Sequence, residues 1–295
     1  MNLEELIYQR FLTNKKLVQQ LATYADKPAI FSSTPPEDNQ QGWQGKIQYP
    51  RMVYQFDLQA NEERKSAGTL LISLYCQNTD KVDPEEIEPI IRNTLKDVLL
   101  TPENGTPYAF SWARTDGFEE TETIQGHIDR LLIGSEIRFD ILEYPFQETS
   151  DPDPILGMSQ YLKALYPDSI VLGIDKIEAI TEASKETPIL YCRLIFVEVA
   201  EETNNVVWMD GRIAIHLLCP NHEVRLKQTV AIINKLSLDG EIILLDRSPM
   251  FLKHVRMDNQ SDYLKDGQIF ITGRYGLLRY QAKPHKLIQT KNQYR

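Results

Sequence analysis

An alternating pattern of apolar and polar residues occurs twice along the chain. One copy runs from Gly68 to Asn78 and the other from Gly211 to Asn221, with glycine, cysteine and asparagine at matching places 143 residues apart. Because successive side chains of a strand point to opposite faces, each copy predicts a strand with one buried face, begun by its glycine. A match at constant spacing indicates an internal duplication.

The residues around the first copy predict the order helix, hairpin, helix, hairpin. An apolar face at helical spacing opens the chain, and a strand over 49–58 pairs with the alternating strand as an antiparallel hairpin. Asp83 and Pro84 have the positions of an N-cap and a first helical residue, and the apolar face of that helix continues to Leu99. Two more strands are expected over 108–116 and 136–144.

The same order returns in the second half. Pro188 begins a strand that matches the one begun by Pro50, and the last strands continue the match, as at Arg114 and Arg256, 142 residues apart. Asp153 and Asn221 are the expected N-caps of the two helices. The apolar face of the second of these helices consists of Leu226, Val230, Ile233 and Leu236.

These matches predict an α+β protein with two tandem similar domains. Each domain would be an antiparallel sheet of about four strands packed with two helices. The segment Ser150–Pro154 is rich in turn formers and indicates the connection between them. The expected divisions are a first domain over 1–147, a linker over 148–154, a second domain over 155–280 and a basic C-terminal tail over 281–295.

The composition narrows the classes of function. At 295 residues the chain is long enough for two domains with their own cores, and its net charge of −10 argues against a nucleic-acid-binding protein. The three cysteines stand in apolar strand-like runs, which predicts small buried side chains in a reducing compartment. The sequence shows no signal-peptide pattern and no apolar run of ~18 residues, so we expect a cytoplasmic protein without a membrane span.

The motifs of common catalytic sites are not found in the sequence. It has no glycine-rich phosphate loop, no Gly-x-Ser-x-Gly turn and no paired-histidine helix motif. His222 and Glu223 could bind a metal with a distant carboxylate, but a helix surface is the favoured interpretation. Asp151 and Asp153 resemble part of a calcium loop that lacks the later glycine and glutamate. His216 is expected in the interior or in a groove, and we expect no catalytic residue, cofactor or metal.

Several polar segments are candidates for contacts between molecules. Trp43 lies in a polar loop and is either a contact residue or a side chain that folds back on its own domain. Two acidic pairs occupy equivalent hairpin tips, where solvated surface charge is favoured over a docking edge or a ring lumen; they are Glu62 with Glu63 and Glu201 with Glu202. The basic tail could order against an acidic neighbouring subunit, with a nucleic-acid contact as the lesser alternative, through Lys283, Lys286, Lys291 and Arg295.

A leading helix, a loop with Ile30 and Pro35, and the run Tyr49–Tyr54 stand in this order at the start of the chain. Together with the hairpin, helix and hairpin that follow, they resemble the tail terminator, or tail completion, proteins of long-tailed phages and prophages. The resemblance covers 3–144 and, through the repeat, 155–280. Members of that family usually have a single domain, so the two domains expected here are a departure from it.

The resemblance implies a non-enzymatic ring protein. It would cap the growing end of a tail tube, stop its polymerisation and join it to the head connector, or to a cap in a headless tail-like particle. Its partners would be further copies of itself, the tail tube protein and the connector, with the sheath as a further candidate. DNA would pass through an acidic lumen without sequence-specific binding. Six copies, or three copies that supply six domains, would match a six-fold tube. The protein would be found in the host cytoplasm during assembly and then in the virion or tail-like particle.

Two other interpretations remain open. The chain could be another structural part of the same particle, such as a connector or baseplate protein. It could also be a duplicated α+β ligand-binding enzyme, which would have a small-molecule pocket at the domain junction, lined by polar residues of both copies.

Overall fold

The computed structural model describes residues 1–43, 47–59, 66–78, 83–103, 105–123, 129–147 and 149–279. Of these residues 43% lie in strands and 23% in helices, so the described part of the protein is mostly β, and two large curled half-barrel sheets of seven and six strands dominate it. The prediction of α+β domains, each with a sheet of about four strands and two helices, is therefore wrong. More residues lie in strands than predicted, because the hairpin strands are longer than the alternating patterns and because short strands extend the edges of the sheets.

The elements of the described residues are as follows. The helices are α1 (Leu3–Thr13), α2 (Lys15–Gln20), α3 (Pro84–Leu95), α4 (Pro154–Leu165) and α5 (His222–Asp239). The strands of the first half are β1 (Thr23–Tyr24), β2 (Lys27–Pro28), β3 (Ile30–Ser32), β4 (Arg51–Leu58), β5 (Gly68–Gln77), β6 (Val98–Leu100), β7 (Tyr108–Thr123) and β8 (Asp129–Glu143). Those of the second half are β9 (Ile170–Val171), β10 (Ile180–Glu182), β11 (Ile189–Glu202), β12 (Val206–Leu218), β13 (Glu241–Ile243), β14 (Pro249–Met257) and β15 (Ile269–Leu278).

The two large sheets have the same strand order. The first is β10-β6-β7-β8-β5-β4-β3 and the second is β13-β14-β15-β12-β11-β9. Neighbouring strands are antiparallel, except that β3 runs parallel to β4 and β9 runs parallel to β11. Apart from β10, therefore, the sheet of the second half has its strands arranged as in the sheet of the first half.

The strand register also repeats. Ile72 faces Tyr54 in the first sheet and Ile215 faces Cys192 in the second, which preserves the spacing of the two strand-starting prolines. The register shifts in β7 just after Trp112 and in β14 just after Lys253, each time against the strand that follows in the chain. Because a bulge needs an extra residue at a fixed place in a strand, its recurrence supports the correspondence of the two halves.

The buried face of the alternating strand is present in both copies, as predicted. The inward positions, each at most 1% exposed, are Leu70, Ile72, Leu74, Cys76, Ile213, Ile215, Leu217 and Cys219. β5 begins at Gly68, but β12 begins five residues before Gly211, so the second glycine is not a strand start. The opposite face of β12 is also buried at His216 and Leu218, because the first half packs against it.

The helix starts agree with the sequence, whereas one helix end does not. The Asp153 side chain accepts hydrogen bonds from two backbone N–H groups of α4, at 2.8 and 3.0 Å, and Asn221 accepts one in α5 at 3.0 Å. Asp83 is the N-cap of α3 without a side-chain bond. α3 ends at Leu95, and the apolar residues after it form β6, because Asp97 has a positive φ of 53° that a helix cannot contain.

The buried face of α5 differs in part from the predicted one, because Leu236 is buried and Ile233 packs against the core as predicted, whereas the other two predicted residues are exposed. Thr229, Ile232 and Leu236 point into the core, while Leu226 and Val230 are 36% and 42% exposed. The buried row contains a threonine, and a leucine lies outside it. The apolar residues of the sequence therefore mark a different face of the helix from the one that packs on the core.

The two halves share an apolar core in addition to the core of each sheet. Leu99, Leu142 and Tyr144 of the first half pack with Tyr191 and Leu218 of the second. In addition, β10 comes from the second half of the chain and pairs with β6 of the first sheet. The halves are thus joined both by side-chain packing and by backbone hydrogen bonds.

Candidate assembly surfaces and the junction cavity

The outer end of the β11–β12 hairpin is an exposed apolar surface. The last eight residues of β11 lie outside the core, and among them Ile195, Phe196, Val197 and Val199 are between 42% and 52% exposed. Adjacent residues of a strand point to opposite faces, so both faces of this hairpin carry exposed apolar side chains. Four large apolar side chains exposed within five residues are more than the scattered apolar residues of an ordinary surface, and they suit contact with another molecule.

The tip of the same hairpin carries the acidic pair Glu201 and Glu202. Both residues are exposed, and Glu202 forms an ion pair with Arg279, just after β15. Nearer the core, Arg274 donates two hydrogen bonds to Asp210, at 2.7 and 3.0 Å, and these bonds lower the pKa of the Asp210 carboxyl. Arginines of the neighbouring strand therefore partly balance the acidic charge of the hairpin.

Trp43 folds back on its own half of the molecule. Its ring contacts Tyr24 and Phe31, with ring centroids 5.0 and 5.8 Å away, and its Nε1 donates to the carbonyl oxygen of Glu37 at 3.2 Å. Only 9% of the residue is exposed. Of the two alternatives for this tryptophan, the structure shows the one in which it leaves little surface for a partner.

The remaining sequence candidates lie outside the described residues. They are Glu62, Glu63, Lys283, Lys286, Lys291 and Arg295. Of the two acidic tips and the basic tail, the structure therefore describes the acidic tip of the second half.

A cavity of about 490 Å³ opens where the two halves meet. Arg92, Lys96 and Trp112 of the first half line it together with Asp262 and Tyr263 of the second. The Arg92 guanidinium lies over the Trp112 ring, 4.4 Å from its centroid. The cavity has the size of many small-molecule sites, and polar residues of both halves form its wall.

A buried polar network adjoins this cavity through Tyr263. The Tyr263 hydroxyl donates to Asp97 at 2.8 Å, and the Arg225 guanidinium lies over its ring at 3.8 Å. Burial raises the pKa of the Asp97 carboxyl, although the hydrogen bond from Tyr263 and the charge of Arg225 act in the opposite direction. The network ties a helix end of the first half to the loop before β15 in the second.

His216 lies in the same region with its Nδ1 2.9 Å from the carbonyl oxygen of Tyr263. Burial, and to a lesser extent the charge of Arg193, lowers the pKa of His216 to about 3, so the ring is neutral. Its interior position is as predicted from the strand pattern. The Nε2 atom is buried without a hydrogen-bond partner among the described residues.

The described residues contain no group of three or more histidine, cysteine, aspartate or glutamate side chains placed to hold a metal. His222 is exposed on the first turn of α5, as expected. Cys76, Cys192 and Cys219 are buried, also as expected, and form no disulfide among the described residues; burial raises the pKa of the Cys192 thiol to about 12. No helix among the described residues is long and apolar enough to cross a membrane.

Two features of the site were not found from the sequence. The run Ile195–Val199 has the composition of a buried strand, and only the acidic residues that follow it hint that it lies outside the core. The cavity has no local signal, because its walls come from distant parts of the chain; Ser111, for example, donates to Asp262 across 151 residues.

No protein-family model, curated protein or solved structure matches the chain.

Proposed function

We propose that this chain is a structural ring protein that caps and terminates the tail tube of a long-tailed phage or phage-tail-like particle and joins it to the head connector or cap. The observation that carries the proposal is the duplicated sheet, with the same strand order, register and bulge in both halves. Two copies of one unit on a chain present equivalent surfaces at successive places around a ring, so three chains supply six such surfaces.

The exposed end of the β11–β12 hairpin supports an assembly role. Four large apolar side chains there, from Ile195 to Val199, are exposed in the single chain, and burying them against a neighbour would be favourable. A ring that closes through such contacts stops growth, because no further tube subunit finds a free copy of its own interface.

The charge of the chain supports a lumen through which DNA passes. With a net charge of −10 the protein repels phosphates on average, so a nucleic acid inside the ring would not be held by it. The acidic hairpin tip with Glu201 and Glu202 is one surface suited to line or border such a channel.

Deleting the gene from a strain that produces the particle tests this proposal. We expect tail tubes of abnormal and variable length, measured by electron microscopy, and normal length after the wild-type gene is restored. Purified wild-type protein should also bind to the ends of tubes isolated from the deletion strain. Tubes of uniform normal length in the deletion strain would contradict the terminating role.

The junction cavity favours a second candidate function, the binding of a small anionic ligand. Lys96 supplies positive charge, Arg92 supplies a second cation that is paired with Glu88 at 2.8 Å, and Trp112 supplies an aromatic wall. Thermal unfolding in the presence of inorganic phosphate and of adenosine monophosphate tests this candidate. A rise in melting temperature that Arg92→Ala abolishes would support it, and no shift at millimolar concentration of either probe would count against it.

A further inference from the structure

The second sheet carries a cluster of positive charge on the face opposite its own core. Arg212 of β12 and Arg256 of β14 lie over the same ring, that of Phe270 of β15, with their guanidinium carbons 5.4 and 5.5 Å from its centroid. Lys253 of β14 faces Thr272, which in turn faces Arg212, and residues that face each other project on the same side of a sheet. Arg212, Lys253 and Arg256 together form the basic face.

The cations of the basic face have no carboxylate partner in the described part of the chain. None of the three forms an ion pair there, and the nearby Asp210 is held by Arg274 at 2.7 Å. Like charges on one face repel one another, so an anionic partner would stabilise them. The face stands out on a chain whose net charge is −10.

The corresponding place in the first sheet is occupied. Ser111 of β7 faces Asp140 of β8, as Lys253 faces Thr272, and Lys253 lies 142 residues after Ser111, the spacing of the repeat in these strands. The loop between β14 and β15 packs on the first pair, where Lys265 donates to Asp140 at 2.5 Å. On the second pair, no side-chain hydrogen bond or ion pair from a described residue is found.

The counterpart of the β14–β15 loop in the first half is the outer part of the β7–β8 hairpin, and this part is acidic. Glu119 and Glu120 of β7 are exposed and form no ion pair with another described residue. Phe118 packs on Tyr75 of its own sheet, with ring centroids 5.2 Å apart, and so fixes the strand just before the two carboxylates. The hairpin thus offers two unpaired negative charges next to an anchored residue.

We infer that the basic face is the docking site for a second copy of this chain, whose β7–β8 hairpin places Glu119 and Glu120 against it. The repeat and the charges select this occupant. Within one chain, a basic loop residue already contacts an acidic residue at the corresponding place of the first sheet, and both charges are reversed here. The two surfaces belong to different halves, so the contact is head to tail and each added copy offers a further free surface until a ring closes.

This inference names the surface that would join neighbouring copies in the proposed ring. It rests on the proposed function only in that it takes the closed assembly to be that ring. The charge complementarity of the two surfaces is independent of any role in a tail.

Reversing the charge of each surface tests the inference. We expect the wild type to form a closed oligomer in light scattering, with an association that weakens as the sodium chloride concentration is raised. Arg212→Glu combined with Arg256→Glu should weaken self-association at least tenfold, because the acidic hairpin would then meet an acidic face. Glu119→Lys combined with Glu120→Lys should have the same effect, because two basic surfaces would meet.

A control and a rescue separate lost charge complementarity from misfolding. Lys15→Glu combined with Lys16→Glu makes the same change of net charge as the reversal of the two arginines, at exposed residues of α2, and should leave the association unchanged. The variant that carries all four substitutions of the two docking surfaces should regain the oligomer of the wild type, since its basic hairpin meets an acidic face.

Three results would overturn the docking site: a wild-type monomer, an oligomer that survives both reversals, or a four-substitution variant that stays monomeric. A wild-type monomer that binds a single-stranded oligonucleotide, with binding lost when both arginines are reversed, would assign the basic face to nucleic acid instead.

The deletion strain separates this inference from the proposed function. Abnormal tails in that strain would support the tail function even where the docking site is overturned. Conversely, normal tails together with an oligomer that the four-substitution variant regains would overturn the tail function and support the docking site.

Discussion

At the residue scale, the polar side chains buried between the two halves determine how the stability of the protein depends on pH. Asp97, His216 and Tyr263 lie together where two apolar surfaces meet, and none of them belongs to a recognisable motif. The sequence could predict that His216 is buried, because it lies in an alternating strand. It could not predict the partner, since Tyr263 is 47 residues further along the chain in a loop whose fold depends on the junction itself.

The buried histidine makes the protein sensitive to mild acid. The pKa of His216 is lowered to about 3 in the folded state, against 6.5 as its ordinary value, so below pH 6.5 the unfolded chain binds a proton that the folded chain does not. The free energy of unfolding should therefore fall by up to about 1.4 kcal/mol per pH unit as the pH is lowered from 6.5 toward 3.

Urea unfolding at pH 7 and pH 5 measures this contribution. His216→Gln should lose less stability than wild type between the two pH values, even if it is less stable at both. His222→Gln, at an exposed histidine on the first turn of α5, is the matched control for replacing a histidine by glutamine. Identical pH dependence in H216Q and wild type would show that the ring is protonated equally in both states.

At the element scale, the long strands and the helix starts were predictable and the short strands were not. Alternation identified β5 and β12, and the N-caps Asp153 and Asn221 marked α4 and α5, because these signals are local. Strands of two or three residues such as β6, β10 and β13 are too short to show a period. They exist because a neighbouring strand and a covering side chain are available, which is information that a local pattern does not contain.

The two glycines that first revealed the repeat should respond differently to substitution. A Cβ at Gly68 would lie 1.9 Å from the backbone oxygen of Asp57, so Gly68→Ala forces β4 and β5 apart. A Cβ at Gly211 would lie 3.4 Å from side-chain atoms of Leu194 and Tyr275 and 3.9 Å from the backbone oxygen of Gly273, which are ordinary van der Waals contacts. We expect Gly68→Ala to lower the free energy of unfolding by about 1–3 kcal/mol, and Gly211→Ala to change it by less than about 1 kcal/mol. Urea denaturation of both variants provides the comparison, and equal losses would contradict the difference between the two sites.

At the scale of the whole molecule, the repeat was visible in the sequence while the joining of its copies was not. The shared core around Leu99 and Tyr191, together with the pairing of β10 with β6, makes the two halves one packed body. Contacts between distant segments leave no periodic trace in a sequence. For the same reason the junction cavity became apparent only from the structure.

Weakening the shared core should separate the unfolding of the halves. Leu99 is fully buried in that core, so Leu99→Ala should cost about 2–5 kcal/mol and split a single calorimetric transition into two. Leu74, fully buried in the core of the first half, is the matched control. Leu74→Ala should cost a similar amount but keep one transition, because it leaves the junction intact. Two transitions already present in the wild type would show that the halves unfold independently.

The crossing of β10 into the first sheet also has a consequence for synthesis on the ribosome. The first half emerges with the apolar edge Val98–Leu100 uncovered, and the strand that covers it is translated roughly 80 residues later, or about 4–16 s at ordinary elongation rates. During that interval the nascent chain presents the edge of β6 without the strand that pairs with it in the finished molecule. Neighbouring nascent chains on one messenger RNA could therefore pair prematurely, and a chaperone that shields this edge during translation would favour correct assembly.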